Sequence, residues 1–120
     1  MHRLYPARKA YLSEFVTTSD GLFELPIELH GNPQGLPVIC LHGGPGAGTS
    51  PVMHRFFDLN KFHVLCFDQR GAGRSTPSAA LHANTTEHLL ADIMQLALHV
   101  GFKRFALFGG SWVLFSVVFF

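Results

Sequence analysis

Charge is scarce in this sequence, and it balances where it occurs. Nine basic and eight acidic side chains in 120 residues leave a formal net charge of +1, which offers no field to nucleic acid or to an anionic membrane. The basic residues are scattered as well, with Arg8-Lys9 and Lys103-Arg104 as the adjacent pairs. Nucleic acid is therefore not an expected partner. Cysteine is equally sparse: Cys40 and Cys66 each stand inside an apolar run and read as buried free thiols. The first residues, Met1-His2-Arg3-Leu4-Tyr5-Pro6, contain no apolar signal core, so a reducing, cytoplasmic setting is expected. The uncharged run at residues 105–120 falls short of the roughly 20 needed to cross a bilayer as a helix, and a membrane anchor is not expected. Eight histidines are present, yet no pair has metal-ligand spacing on an expected element. His54, His63, His82, His88 and His99 read as surface or helix-face residues, and a metal site is not expected.

What the chain has is apolar bulk and glycine. A hydrophobic content of 48%, with twelve phenylalanines, suits one small domain with a real core but not two. Residues 1–12 read as an extended arm. Phe15-Val16-Thr17-Thr18 and residues 22–30 read as two strands of a hairpin joined by Ser19-Asp20-Gly21. Pro26 cannot donate to a ladder, which points to an edge strand or a bulge. From residue 37 the rhythm changes. Pro37-Val38-Ile39-Cys40-Leu41, residues 62–67 and residues 105–108 are continuous apolar runs, as in strands buried on both faces of a parallel sheet. Residues 52–59 have helical spacing. A longer helix is expected over residues 85–100, with Asn84 as N-cap, Glu87 completing a capping box and Gly101 at C′. Its apolar stripe is Leu89, Ile93, Leu96, Ala97 and Val100. Strands alternating with helices imply an α/β fold with loops gathered at the strands' carboxyl ends.

Three glycine motifs fall at those ends. His42-Gly43-Gly44-Pro45-Gly46-Ala47-Gly48 exposes backbone N–H groups that suit an oxyanion hole, with His42 hydrogen-bonding inside the loop. It has the spacing of a phosphate loop but lacks that loop's lysine. Asp68-Gln69-Arg70-Gly71-Ala72-Gly73-Arg74-Ser75 reads as structural: Gly71 and Gly73 turn the backbone, while Asp68, Arg70 and Arg74 pair to hold it. Gly109-Gly110-Ser111-Trp112 ends a buried strand in a sharp turn that lifts a serine hydroxyl above the sheet edge, the arrangement of a nucleophile.

These residues carry a resemblance. His42-Gly43-Gly44-Pro45-Gly46, then residues 67–77, Asn84-Thr85-Thr86, Ala91-Asp92-Ile93 and Gly109-Gly110-Ser111-Trp112 together resemble the proline iminopeptidases, serine aminopeptidases of α/β-hydrolase fold. The match runs from about residue 13 to Trp112. It implies release of N-terminal proline from peptides through a seryl acyl-enzyme, with no metal and no organic cofactor. Carried over, Ser111 is the nucleophile. The N–H groups of Gly44 and Trp112 form the oxyanion hole, and Gly43 gives close approach. Pro45, Gly46, Gly109 and Gly110 shape the loops around it.

The sequence departs from that family in three respects. Val113 stands where the elbow's closing glycine belongs, and a β-branched residue there crowds a returning helix. The family's triad acid and histidine follow the serine, as does its helical cap, and residues 112–120 contain no acid and no histidine. Residues 113–120 read as an apolar tail outside the family pattern, better suited to β-pairing than to a helix. The expectation is an N-terminal fragment of such a hydrolase, inactive alone. The alternative is a non-catalytic product that associates with a full-length relative. Exposed apolar surface would also favour self-association.

Overall fold

The structure, a computed structural model, describes residues 5–6, 8–41, 53–76, 86–109 and 112–118. Strands β1 (Leu12–Thr17), β2 (Glu24–Gly31), β3 (Leu36–Leu41), β4 (Phe62–Phe67), β5 (Arg104–Gly109) and β6 (Trp112–Val118) form one sheet, in the order β1-β2-β4-β3-β5-β6. The helix α1 (Thr86–Val100) precedes β5, and a 3-10 turn, Met53–Phe56, lies between β3 and β4. Neighbours β4, β3 and β5 run parallel, while β1–β2, β2–β4 and β5–β6 are antiparallel. The expected α/β architecture, a hairpin followed by parallel strands, is what forms.

Alternation along the central strands splits the sheet's two faces. Ile39, Leu41, Leu65, Phe67, Phe105 and Leu107 point toward α1, where Ile93, Leu96 and Ala97 meet them in one buried cluster. Val38, Cys40, Val64 and Cys66 point the other way, against Leu59 and the half-buried Phe57, Phe62 and Phe108. The helix ends as its sequence foretells. Gly101 takes φ 83°, its N–H bonds the Leu98 carbonyl, and the Phe102 N–H reaches back to Ala97 at 2.7 Å. That pair of bonds satisfies carbonyls the last turn leaves without intrahelical donors. Asn84 and Thr85, at the expected start of the helix, lie outside the described residues.

Four local expectations change. The first strand starts at Leu12, earlier than read, because Ser13 and Glu14 belong to an exposed edge that hydrophobic patterning does not mark. The second starts two residues late, since Thr18, Asp20 and Gly21 extend the turn: Asp20 Oδ1 accepts from Thr18 Oγ1 at 2.6 Å and from the Leu22 N–H at 3.1 Å. Pro26 sits in an inner strand, opposite Phe15, without a register shift. The Thr18 N–H bonds the Phe23 carbonyl, and antiparallel alternation then makes Phe15 and Pro26 a non-hydrogen-bonded pair. Toward β4, Pro26 lies just past the last strand pair, where its carbonyl still accepts from Asp68 at 3.2 Å. Its missing donor falls where the ladder stops. Finally, residues 53–59 form only the 3-10 turn, and the Asp58 side chain draws the Asn60 N–H (3.0 Å) into a further turn that competes with helix.

Residues 112–118 form a strand along the open side of β5, with Gly109 opposite Trp112 and Arg104 opposite Val118. No helix among the described residues is long and apolar enough to cross a membrane. Leu96 is 1% exposed between the sheet and α1. Leu96→Ala is predicted to lower stability by about 2–5 kcal/mol, seen as a lower urea midpoint at unchanged slope.

Candidate active site

Three parallel strands stop together. Leu41 at the end of β3 is the register partner of Gly109 at the end of β5, and Cys40 is the partner of Cys66, one residue before the end of β4. The chain therefore leaves β3 at His42, β4 at Asp68 and β5 at Gly110 from one sheet edge, with neighbouring strands about 4.8 Å apart. His42, Gly43, Gly44, Pro45, Gly46, Gly110 and Ser111 lie outside the described residues. Their anchors, Leu41, Gly109 and the Trp112 backbone, are within them. Gly109 and Trp112 are register partners, so two residues, Gly110 and Ser111, link β5 to β6.

The loop after β4 is described as far as Thr76, and its hydrogen bonds explain its composition. The Asp68 carboxylate accepts from the Arg74 backbone N–H at 2.9 Å and lies 4.0 Å from the Arg74 Nε. Gly71 and Gly73 both take positive φ, 72° and 52°, as the turn reading expects. A Cβ on Gly73 would collide with the Asp68 carboxylate. Ser75, 1% exposed, places its hydroxyl 2.7 Å from the Gln69 carbonyl and accepts from the Ala72 N–H at 3.1 Å. Thr76 then bridges back to Glu24 at the start of β2 by two backbone bonds.

Arg70 plays a larger part than a partner for its own loop. Its guanidinium is buried and forks onto Asp92 of α1, Nε to Oδ2 at 2.6 Å and Nη2 to Oδ1 at 2.9 Å. Nη1 reaches Asp20 in the hairpin turn at 2.7 Å, and the group lies over the Phe23 ring at 5.0 Å. The Asp92 carboxylate, helped by Asp20, raises the Arg70 pKa, so the guanidinium stays charged despite burial. The Thr18 hydroxyl, with lesser help from Arg70, holds the Asp20 carboxyl well below the usual carboxylate range. Asp20 thus stabilises the fold at neutral pH, and that contribution is lost progressively as pH falls below the ordinary 3.8. Asp92 and Asp20 were not singled out from sequence as partners of Arg70. The available signal was an aspartate set beside Ile93 in the helix's apolar stripe, a position that demands a buried cation.

Two histidine expectations are corrected. His54 and His63 are 8% and 7% exposed rather than surface residues. His63 hydrogen-bonds the Tyr11 hydroxyl and packs on Phe102, and the arm covers His54. By contrast, His99 does lie exposed, paired with Glu14. Cys40 and Cys66 are buried free thiols, as read. The contact between the two thiols, then burial, pushes the Cys66 pKa well up, which leaves it a poor nucleophile. No group of metal-ligating side chains occurs among the described residues.

The family model for the alpha/beta hydrolase fold matches residues 37–112. The chain belongs to the α/β-hydrolase fold family. Within that family it is similar to a probable proline iminopeptidase of Leptolyngbya boryana, at 48% identity over 93% of this chain and 35% of the relative. A proline iminopeptidase of Xanthomonas citri is also 48% identical, over 93% of this chain and 36% of its own length. Among solved structures, a proline iminopeptidase-related protein from Thermus thermophilus superposes with a TM-score of 0.65 at 31% identity, covering 82% of this chain and 36% of that one. The proline iminopeptidase of Mycobacterium smegmatis gives 0.67 at 27% identity, over 85% and 36%. The chain thus spans about a third of the length of the curated relatives it matches.

Two substitutions test the loop that borders this edge. Asp92→Ala strands a buried guanidinium and is predicted to cost about 3–5 kcal/mol in urea unfolding. Gly73→Ala meets both an unfavourable φ and the Asp68 carboxylate. It is predicted to cost about 1–3 kcal/mol, with amide exchange rising over residues 68–76 before the central strands change.

Proposed function

We propose that this chain carries the nucleophile and oxyanion hole of a proline iminopeptidase-like serine hydrolase, acting on peptides with an N-terminal proline. The observation that supports it most is the pairing of Leu41 with Gly109. It brings the starts of the His-Gly-Gly-Pro-Gly loop and the Gly-Gly-Ser-Trp link to adjacent positions at one sheet edge. The 48% identity to proline iminopeptidases supports the substrate class.

In this reading the Ser111 hydroxyl attacks the carbonyl carbon of the N-terminal proline. The oxygen gains negative charge and is received by the N–H groups of Gly44 and Trp112, with Gly43 allowing close approach. The leaving amine takes a proton, and water then hydrolyses the acyl-enzyme. Ser111 needs a base to take its proton. The resemblance places base and acid after the serine, and residues 112–120 offer neither histidine nor carboxylate, so in this reading the 120 residues do not complete the triad. Two buried reduced thiols are in keeping with a cytoplasmic setting.

The 120-residue chain is accordingly predicted to hydrolyse a prolyl reporter amide no faster than the background reaction. Joined at Trp112 to the remaining two-thirds of a relative, it should turn the reporter over. Ser111→Ala should then lower kcat by at least about 10³-fold with little change in KM. Turnover by the chain alone that Ser111→Ala abolishes would overturn the requirement for an outside base. An active fusion indifferent to that substitution would overturn the nucleophile assignment.

A further inference from the structure

The segment ahead of β1 is tied down at three places across the sheet face that lacks α1. The Tyr5 N–H donates to the Arg55 carbonyl at 2.8 Å, and the Tyr5 carbonyl accepts from the Arg55 Nε at 2.7 Å. Near β1, the Tyr11 N–H donates to the Leu29 carbonyl at 2.9 Å. Between them, two histidines grip Arg8 by its backbone. Its N–H donates to His54 Nε2 at 3.3 Å, and its carbonyl accepts from His30 Nδ1 at 3.2 Å. The two rings stack with centroids 4.1 Å apart and 6° between planes.

The two grips respond differently to protons. His30 donates from Nδ1 in either protonation state, so its bond to Arg8 survives acidification. Its Nε2, 3.4 Å from Glu28 Oε1, makes no hydrogen bond. His54 must accept, and only a neutral imidazole has a lone pair to accept with. Once protonated, its Nε2–H would confront the Arg8 N–H, and a cation would lie stacked on His30.

The surroundings make that charge unwelcome. His54 faces a cavity of about 510 Å³ whose rim carries the cations Arg8, Lys9 and Arg74 against the carboxylates Glu28 and Asp68. Cys66 lines the same cavity as a protonated thiol, and Arg55 adjoins His54 in the 3-10 turn. Burial first, then His30, and less so Arg55, hold His54 below the ordinary 6.5, while Glu28 pulls the other way. The docked arm therefore binds fewer protons than the released arm. Docking is complete above the free histidine's pKa and weakens as pH falls below it.

We propose that His54 is a pH-sensitive latch for the N-terminal arm: neutral, it holds residues 8–10 over the cavity, and protonated, it lets them go. The device is independent of the hydrolase reading and needs no part of the serine site.

Amide hydrogen exchange of the 120-residue chain tests it, expressed as protection factors so that intrinsic exchange is divided out. The Arg8 amide should lose about tenfold in protection between pH 7.5 and 5.5, while Leu65 in the central β4 keeps its own. His54→Gln supplies an acceptor oxygen that does not titrate, so its Arg8 protection should be level over that range. A level profile in the parent chain would overturn the latch, as would parallel losses at Arg8 and Leu65, or a slope that persists in His54→Gln. If His54→Gln does not fold, the His54 ring in the parent chain, read by NMR, must titrate below the pH at which Arg8 protection begins to fall. A ring that titrates at or above that pH would also overturn the proposal.

Discussion

A guanidinium buried to 5% exposure constrains this structure more than any other single group. Burying an unpaired cation is costly enough that its partners cannot be optional. Arg70 finds them on segments far apart in the chain, Asp92 in α1 and Asp20 in the β1–β2 turn. One side chain from the loop after β4 thereby fixes the helix and the hairpin relative to the strand ends. The bidentate fork to Asp92 sets direction as well as distance. With Arg70 engaged there, Asp68 is left to hold Arg74 and to fill the space that Gly73 leaves open. The loop bordering the candidate active site is thus held by charge and backbone bonds.

The sheet's two faces follow different physical rules. Toward α1 the contact is mainly apolar and closed, and its buried polar groups include the Arg70–Asp92 pair and His63, which packs on Phe102. The opposite face mixes Val38, Val64 and the two cysteines with Glu28, His30 and Asp68, and the arm crosses it through backbone hydrogen bonds. Apolar packing changes little with pH, whereas a face built from histidines and carboxylates must change. The distribution of residue types across the sheet therefore decides which parts of the molecule are rigid and which respond to conditions.

Much of this was legible from sequence wherever one local signal decided the outcome. The runs at residues 37–41, 62–67 and 105–108 became buried parallel strands, and Gly101 ended the helix because a left-handed residue was needed there. Legibility failed where a distant partner decided. Nothing near Asp92 announces Arg70, and nothing near His54 announces that the arm will cover it. Pro26 misled for a related reason: the edge or bulge rule assumes that both sides of a strand are paired along its length, and here β4 stops one residue short. For the site itself, sequence supplied the motifs, and the structure supplied the Leu41–Gly109 register that joins two of them. Ser111 and the glycines of the first loop fall outside the described residues, so their roles rest on the motif resemblance and on where their anchors lie.

The same contrast bears on Val113. A β-branched residue is poorly suited to a helix returning against the sheet, because its χ1 freedom is curtailed there. In an antiparallel strand that penalty disappears, and Val113 becomes a favourable choice, as do Val117 and Val118. The structure runs residues 112–118 as β6, antiparallel beside β5. Local propensity and observed direction agree over this segment. A serine on a two-residue link between paired strands is held at both ends by ladder hydrogen bonds. A serine entering a helix is held by the strand on one side and by the helix's first turn on the other. Only the second aims a helix N-terminus, with its unpaired N–H groups, at charge developing beside a serine.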